Sequence, residues 1–251
     1  MKIIVCGKGG SGKSTVVALL AKAFERLGRR VIVMDCDESN PGLYRYLGVK
    51  QPKELIEFLG GRKAALEKLN KGSGPTFLHK EFFTEELPRE CIEKKGNIFL
   101  ITIGKIHDFG QGCACPMGAV SRKLIKNIKL KDNEILLADT DAGVEHFGRG
   151  VEEGCDIILF VIDPSMDSLI LAQKVDEICR RLEKRLFYVI NRANEKIARI
   201  ILEKMKNKNV LAILPEKEEI LMAGLHGEEL KLKYLEEIID IADKLLKLIH
   251  H

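Results

Sequence analysis

The run Gly7-Lys8-Gly9-Gly10-Ser11-Gly12-Lys13-Ser14 constrains this chain more than any other segment. It satisfies the pattern G-x-x-x-x-G-K-[ST]. An apolar run at residues 2–6 precedes it, and a helical pattern over 12–27 follows, with Val16, Leu19, Leu20, Ala23 and Leu27 on one side and Gly28 at its end. Glycines let successive backbone N–H groups turn inward around phosphate oxygens, and the following helix points its positive end at them. Gly9, Gly10, Ser11 and Gly12 are therefore expected to cradle phosphates. Lys13 is expected to bridge the outer two, Ser14 to place its hydroxyl on Mg²⁺, and Thr15 to reach an inner phosphate. A glycine turn that only joins strand to helix is the alternative, and the motif's place between a buried strand and a helix speaks against it.

Residues 30–34 form a second buried run that ends at Asp35-Cys36-Asp37, completing a strand–loop–helix–strand unit of a parallel sheet. Further strand patterns fall at 97–103, 134–138, 156–162, 186–190 and 210–214, seven in all, with helical patterns at 166–182 and 233–248. The expected class is α/β: a three-layer, doubly wound, mainly parallel sheet with helices on both faces, as in P-loop NTPases. A hydrophobic content of 45% supplies an ordinary core, and the whole chain, 1–251, reads as one domain. The interval 51–96, rich in Lys and Glu and broken at Gly60-Gly61 and Gly72-Ser73-Gly74-Pro75, reads as an insertion of short helices and mobile connections. Lys and Arg, 41 together, nearly balance 37 Asp and Glu, so the charge gives no sign of a nucleic-acid partner. No signal-peptide core and no membrane-length apolar stretch is present, so a cytoplasmic protein is expected. Seven cysteines over this length do not form a disulfide framework and read as free thiols or metal ligands.

Lys8, the second residue of the loop, is the extra lysine of the deviant Walker A ATPases, and the chain resembles that class. The class includes the MinD and ParA proteins, the nitrogenase iron protein and the metal-insertion ATPases of carbon monoxide dehydrogenase. The resemblance implies that ATP closes a homodimer in which Lys8 crosses a two-fold interface to the partner's nucleotide, as an arginine finger would. A solvated loop lysine is the plainer alternative. The D-x-D of Asp35 and Asp37 resembles the first switch, with Asp37 orienting the attacking water near Mg²⁺ and Asp35 in support; a turn-capping pair would look the same. The strand ending in Asp139 resembles a Walker B strand that holds Mg²⁺, and Gly143 completes a D-x-x-x-G second switch. Asp141 departs from the plainest forms of that motif. The stretch 144–150 is most similar to the metal-insertion branch, although a helix cap and surface charge explain Glu145, His146 and Arg149 equally well. By the same resemblance Asn191, after the strand at 186–190, reads the adenine and Pro215 lines its pocket. Asn191-Arg192 here replaces the Asn-Lys of many relatives.

Cys113-Ala114-Cys115 stands in a glycine-rich stretch before Pro116 and a helix expected from about 119 to 128. Two thiolates one residue apart suit a borderline or soft ion such as Zn²⁺, Ni²⁺ or Cu⁺, and a two-fold dimer would bring four sulfurs together. Taken alone, such a pair is as readily two small buried hydrophobes. Ahead of the second switch in this class it is similar to the nickel-insertion ATPases of carbon monoxide dehydrogenase (CooC type) and their acetyl-CoA synthase counterpart. The implied function is an ATP-dependent metallochaperone, with ATP or ADP, Mg²⁺ and Ni²⁺ or Zn²⁺ as ligands and a nickel enzyme as client. His107 is a lesser ligand candidate. Cys6, Cys36, Cys155 and Cys179 adjoin apolar segments and read as structural, and Cys91 is left open. Two other readings compete. A partitioning ATPase of the MinD or ParA kind needs a membrane or DNA surface, which the acidic residues Glu236, Glu237, Asp240 and Asp243 of the last helix disfavour. An iron–sulfur reductase like the nitrogenase iron protein carries a cysteine shortly after the second switch, and residues 141–154 have none.

Overall fold

The computed structural model describes residues 1–40, 42–106, 115–140, 154–206 and 209–248. They build one eight-stranded sheet in the order β3-β4-β2-β5-β1-β6-β7-β8. The strands are β1 (Lys2–Gly7), β2 (Arg30–Asp35), β3 (Ile92–Lys95), β4 (Ile98–Thr102), β5 (Glu134–Asp139), β6 (Ile157–Ile162), β7 (Arg185–Asn191) and β8 (Val210–Leu214). All pair in parallel except β3, which runs antiparallel to β4 at the edge. Runs such as Val31-Ile32-Val33 are apolar at consecutive positions because helices cover both faces, as a parallel sheet requires.

Successive strand residues divide between the two faces. Ile4, Ile32, Leu136 and Ile158 face a core closed by α5 (Cys115–Asn127), α6 (Met166–Arg181) and α7 (Glu195–Met205). On the same side lie α3 (Leu55–Phe58) and α4 (Arg62–Lys71). Ile3, Val31, Leu137 and Ile157 face the second core, under α1 (Lys13–Arg26), α2 (Leu43–Leu47), α8 (Glu218–His226) and α9 (Glu237–Lys247). The three-layer, doubly wound architecture expected from the sequence is the one found. β1 sits near the centre, flanked by β5 and β6, so the loop that leaves its carboxyl end opens where the chain's winding reverses.

Four sequence expectations need correction. An eighth strand exists: β3 turns into β4 through Gly96-Asn97, and its Ile-Glu-Lys-Lys is too short and polar to stand out, as suits a charged edge strand. The 51–96 interval is packed structure, with Phe77, Leu78, Phe82, Leu87 and Cys91 buried in the first core. The helix expected from about 119 begins at Cys115, because Pro116 falls in its first turn, where a missing N–H costs nothing. The helix expected from 233 begins at Glu237, after a short 3₁₀ turn at Leu232–Tyr234. Its apolar face, Ile238, Ile241, Ala242 and Leu245, is fully buried in the second core beside α1. No described helix is long and apolar enough to cross a membrane.

Candidate nucleotide site

The loop after β1 owes its shape to two close approaches. A side chain on Gly7 would put its Cβ 2.4 Å from the Val161 carbonyl oxygen, and one on Gly12, at φ 93°, would meet Asn191 Nδ2 at 2.3 Å. Only glycine satisfies both the space and the positive φ at Gly12. Gly12 then caps α1, whose first-turn N–H groups have no helical partners and face outward for an anion. Ser11 N donates to the Lys8 carbonyl at 3.0 Å, which closes the loop on itself.

Beside this loop lies a cavity of about 530 Å³, large enough for a nucleotide, lined by Gly9, Gly10, Gly12, Lys13, Ser14 and Thr15 on one wall. Asp37, Asn191 and Pro215 line it too, so positions from distant parts of the sequence converge there. One of the expected cradle residues behaves otherwise. Ser11 is fully buried beneath the loop, and its carbonyl accepts from Asn191 Nδ2 at 2.8 Å. Asn191, the last residue of β7, thus holds the phosphate loop as well as facing the cavity. Lys8 points away from its own cavity: its Nζ reaches Ser165 Oγ at 3.2 Å and Asp163 Oδ2 at 3.8 Å, with the side chain 34% exposed.

Carboxylates gather at the strand ends. Register pairs Asp35 with Asp139 across β2 and β5, and Cys36 N donates to the Asp139 carbonyl at 2.9 Å. Asp139 is 1% exposed, and among the described residues neither of its carboxylate oxygens has a hydrogen-bond partner. Burial, helped by the negative charge of Asp35 and Asp37, raises its pKa from 3.8 to about 7, against the opposing pull of Ser14 and Lys13. A buried carboxylate left unpaired beside a serine hydroxyl and a second carboxylate is an all-oxygen donor set that suits Mg²⁺. Asp37 also serves its turn: Oδ1 accepts from Ser39 N at 2.9 Å, Ser39 Oγ at 2.6 Å and Asn40 N at 3.2 Å, which leaves Oδ2 for other work. The capping alternative and the site reading of Asp37 are therefore compatible.

Three participants escaped sequence reasoning. Lys105, buried after β4, donates to Asp35 Oδ1 at 2.7 Å and to the carbonyls of Asp37 and Asn40. Burial raises Asp35 to about 6 even against this lysine. Asn40 Nδ2 donates to Ser14 Oγ at 3.0 Å. Arg192 donates to the Gly10 carbonyl. One lysine among many carried no signal, and its partners are set by strand order that no local pattern reveals. Cys113, His107, Gly143 and Asp141 lie outside the described residues, as do Glu145, His146, Arg149 and the side chain of Cys115.

Sheet order, phosphate loop and strand-end carboxylates together define an ATP-binding P-loop ATPase fold. The chain belongs to the CobQ/CobB/MinD/ParA nucleotide-binding domain family, which it matches over residues 2–230. Among individual relatives, an uncharacterized ATP-binding protein of Methanocaldococcus jannaschii is 47% identical over 98% of this chain and 100% of its own length. The carbon monoxide dehydrogenase accessory protein CooC of Rhodospirillum rubrum is 32% identical over 90% of this chain and 89% of its own. The septum site-determining protein MinD of Pyrococcus horikoshii, solved with Mg-ADP, shares the fold at a TM-score of 0.69 and 24% identity, over 99% of this chain and 98% of that one.

Proposed function

We propose that this chain is a homodimeric ATPase that hydrolyses ATP to ADP and phosphate in order to handle Ni²⁺ or Zn²⁺ as cargo. Its client in this reading is a nickel-containing carbon monoxide dehydrogenase or acetyl-CoA synthase. The observation that carries the client assignment is the sequence Cys113-Ala114-Cys115, whose last residue opens α5, in a chain 32% identical to CooC along nine-tenths of both lengths. Residues 1–251 act as one domain, with 51–96 as an insertion built onto its core.

Gly9, Gly10, Gly12 and Thr15 hold the phosphates through the loop and the start of α1, and Lys13 bridges the outer two. Ser14, Asp37 and Asp139 would hold Mg²⁺, which neutralises charge on the phosphate oxygens when bound. Asp37 orients the attacking water, whose oxygen bonds to the γ-phosphorus as the bridge to the β-phosphate breaks. Gly143 senses the γ-phosphate, while Asn191 and Pro215 receive the base. Lys8, turned away from its own cavity, is free to reach the nucleotide of a second copy once its contacts with Asp163 and Ser165 are released. ATP favours the closed dimer and with it a four-sulfur site from two Cys113–Cys115 pairs; hydrolysis reopens it and releases the ion. The burial of the last helix's apolar face weakens the partitioning alternative, since that face is not free to lie on a membrane.

The test is direct. Wild type is expected to hydrolyse Mg-ATP, with Lys13→Gln slowing turnover by about a hundredfold or more. The Cys113→Ala/Cys115→Ala variant is expected to bind ATP normally and lose tight Ni²⁺ binding. Unchanged Ni²⁺ affinity in that variant would sink the metal reading.

A further inference from the structure

We propose that residues 103–106 couple nucleotide state to the metal-bearing head of α5, with Lys105 as the anchoring cation; this rests on the metal-handling function above. The segment continues the β2–β4 ladder beyond both strand ends. Ile103 N donates to the Asp35 carbonyl and Ile106 N to that of Glu38, each at 3.0 Å. Between them the buried Lys105 ammonium gathers the Asp35 carboxylate, the Asp37 carbonyl and, at 2.6 Å, the Asn40 carbonyl. A lysine out of water needs three acceptors, and all three lie within residues 35–40. That loop therefore moves with Lys105 or not at all.

On its cavity side the same loop carries Asp37 and Asn40, and Asn40 occupies the Ser14 hydroxyl at 3.0 Å. A cation that takes the Ser14 oxygen competes with this bond and displaces Asn40, and with it the carbonyl that Lys105 holds. The opposite side of the segment is packed equally tightly. At Gly104 the backbone lies so close to Ile56 and Met117 that a methyl group there would come within 3.0 Å of Met117 Sδ and of Ile56 Cγ1. Met117 is buried two residues after Cys115, in the first turn of α5. Ser121, one turn further on, donates its hydroxyl to the Met117 carbonyl at 2.9 Å and so fixes Met117 within α5. Close-packed contacts of this kind transmit a shift instead of absorbing it. The backbone of 103–106 is tied to α3 as well, since Lys105 N donates to Glu54 Oε2 at 2.9 Å and Ile56 N to the Ile103 carbonyl at 2.8 Å. Residues 103–106 thus form a short bar with the nucleotide loop on one side and the start of α5 on the other.

The experiment measures Ni²⁺ affinity of the full chain with ADP and with a non-hydrolysable ATP analogue, and takes the ratio. Wild type is expected to show a ratio of about tenfold or more, within the usual range of coupling between sites. Two variants cut the bar independently. Lys105→Met combined with Asp35→Asn removes the anchor without stranding a buried carboxylate, and Met117→Ala loosens the α5 side without touching a charge. At saturating nucleotide each is expected to bring the ratio to about one, and Met117→Ala, which lies outside the nucleotide site, to keep Ni²⁺ affinity in ADP within about threefold of wild type, because coupling and intrinsic affinity are separate quantities. Variants that keep the wild-type ratio would overturn the coupling role and leave the metal function standing. A wild-type ratio of one would overturn both.

Discussion

A carboxylate buried without a partner at the end of a parallel strand is costly unless a cation is to sit against it, and among the described residues Asp139 is such a group. Its pKa, raised from 3.8 to about 7, means that the folded protein without Mg²⁺ holds a proton that the unfolded chain releases. Between about pH 4 and pH 7 the folded state binds more protons than the unfolded one, so this residue makes stability fall as pH rises through that window. Thermal unfolding of nucleotide-free and Mg²⁺-free protein should show it. Asp139→Asn is expected to match wild type below about pH 4 and to exceed it increasingly up to about pH 7. The same substitution is expected to abolish the stabilisation that Mg-ATP gives wild type. A variant no more stable than wild type at pH 7 would mean that the carboxylate is satisfied in solution after all.

Among the elements, α9 shows how a pattern can be read correctly and its purpose still be missed. The amphipathic period was legible, yet only the fold shows that Ile238, Ile241 and Leu245 close the second core over α1. Ile241→Ala should lower unfolding stability by about 2–5 kcal/mol in chemical denaturation, and nucleotide affinity should be unchanged because none of this face lines the cavity. Loss of nucleotide binding at full stability would contradict that placement. More generally, what the sequence revealed was what local chemistry encodes. That the glycine loop leaves a buried strand, and that Asp139, Asn191 and Pro215 stand at or just past strand ends, was readable from glycine spacing and apolar runs. The edge strand β3 was not, since four residues with two lysines and a glutamate carry no hydrophobic period. Lys105 and Asn40 were not either: their significance lies in partners up to seventy residues away, brought together by strand order.

For the molecule as a whole, the orientation of Lys8 matters most. A loop lysine that serves its own nucleotide would face the cavity; this one lies against Ser165 and Asp163 at the head of α6. Lys8→Ala is therefore expected to bind ATP about as well as wild type and to hydrolyse it at least a hundredfold more slowly, as loss of a charge supplied from outside the site would dictate. Single-turnover assays with matched binding isotherms separate the two effects. An unchanged rate would place Lys8 outside the reaction.

Nucleotide-driven metal handling is tested most directly by sedimentation equilibrium combined with Ni²⁺ titration, in the apo, ADP-bound and ATP-analogue-bound states, for wild type and Cys113→Ala/Cys115→Ala. With the ATP analogue, wild type is expected to form a dimer that takes up one Ni²⁺ per two chains, and the double variant to dimerise still and take up none. Ni²⁺ bound at one ion per monomer whatever the nucleotide, or retained by the double variant, would contradict it.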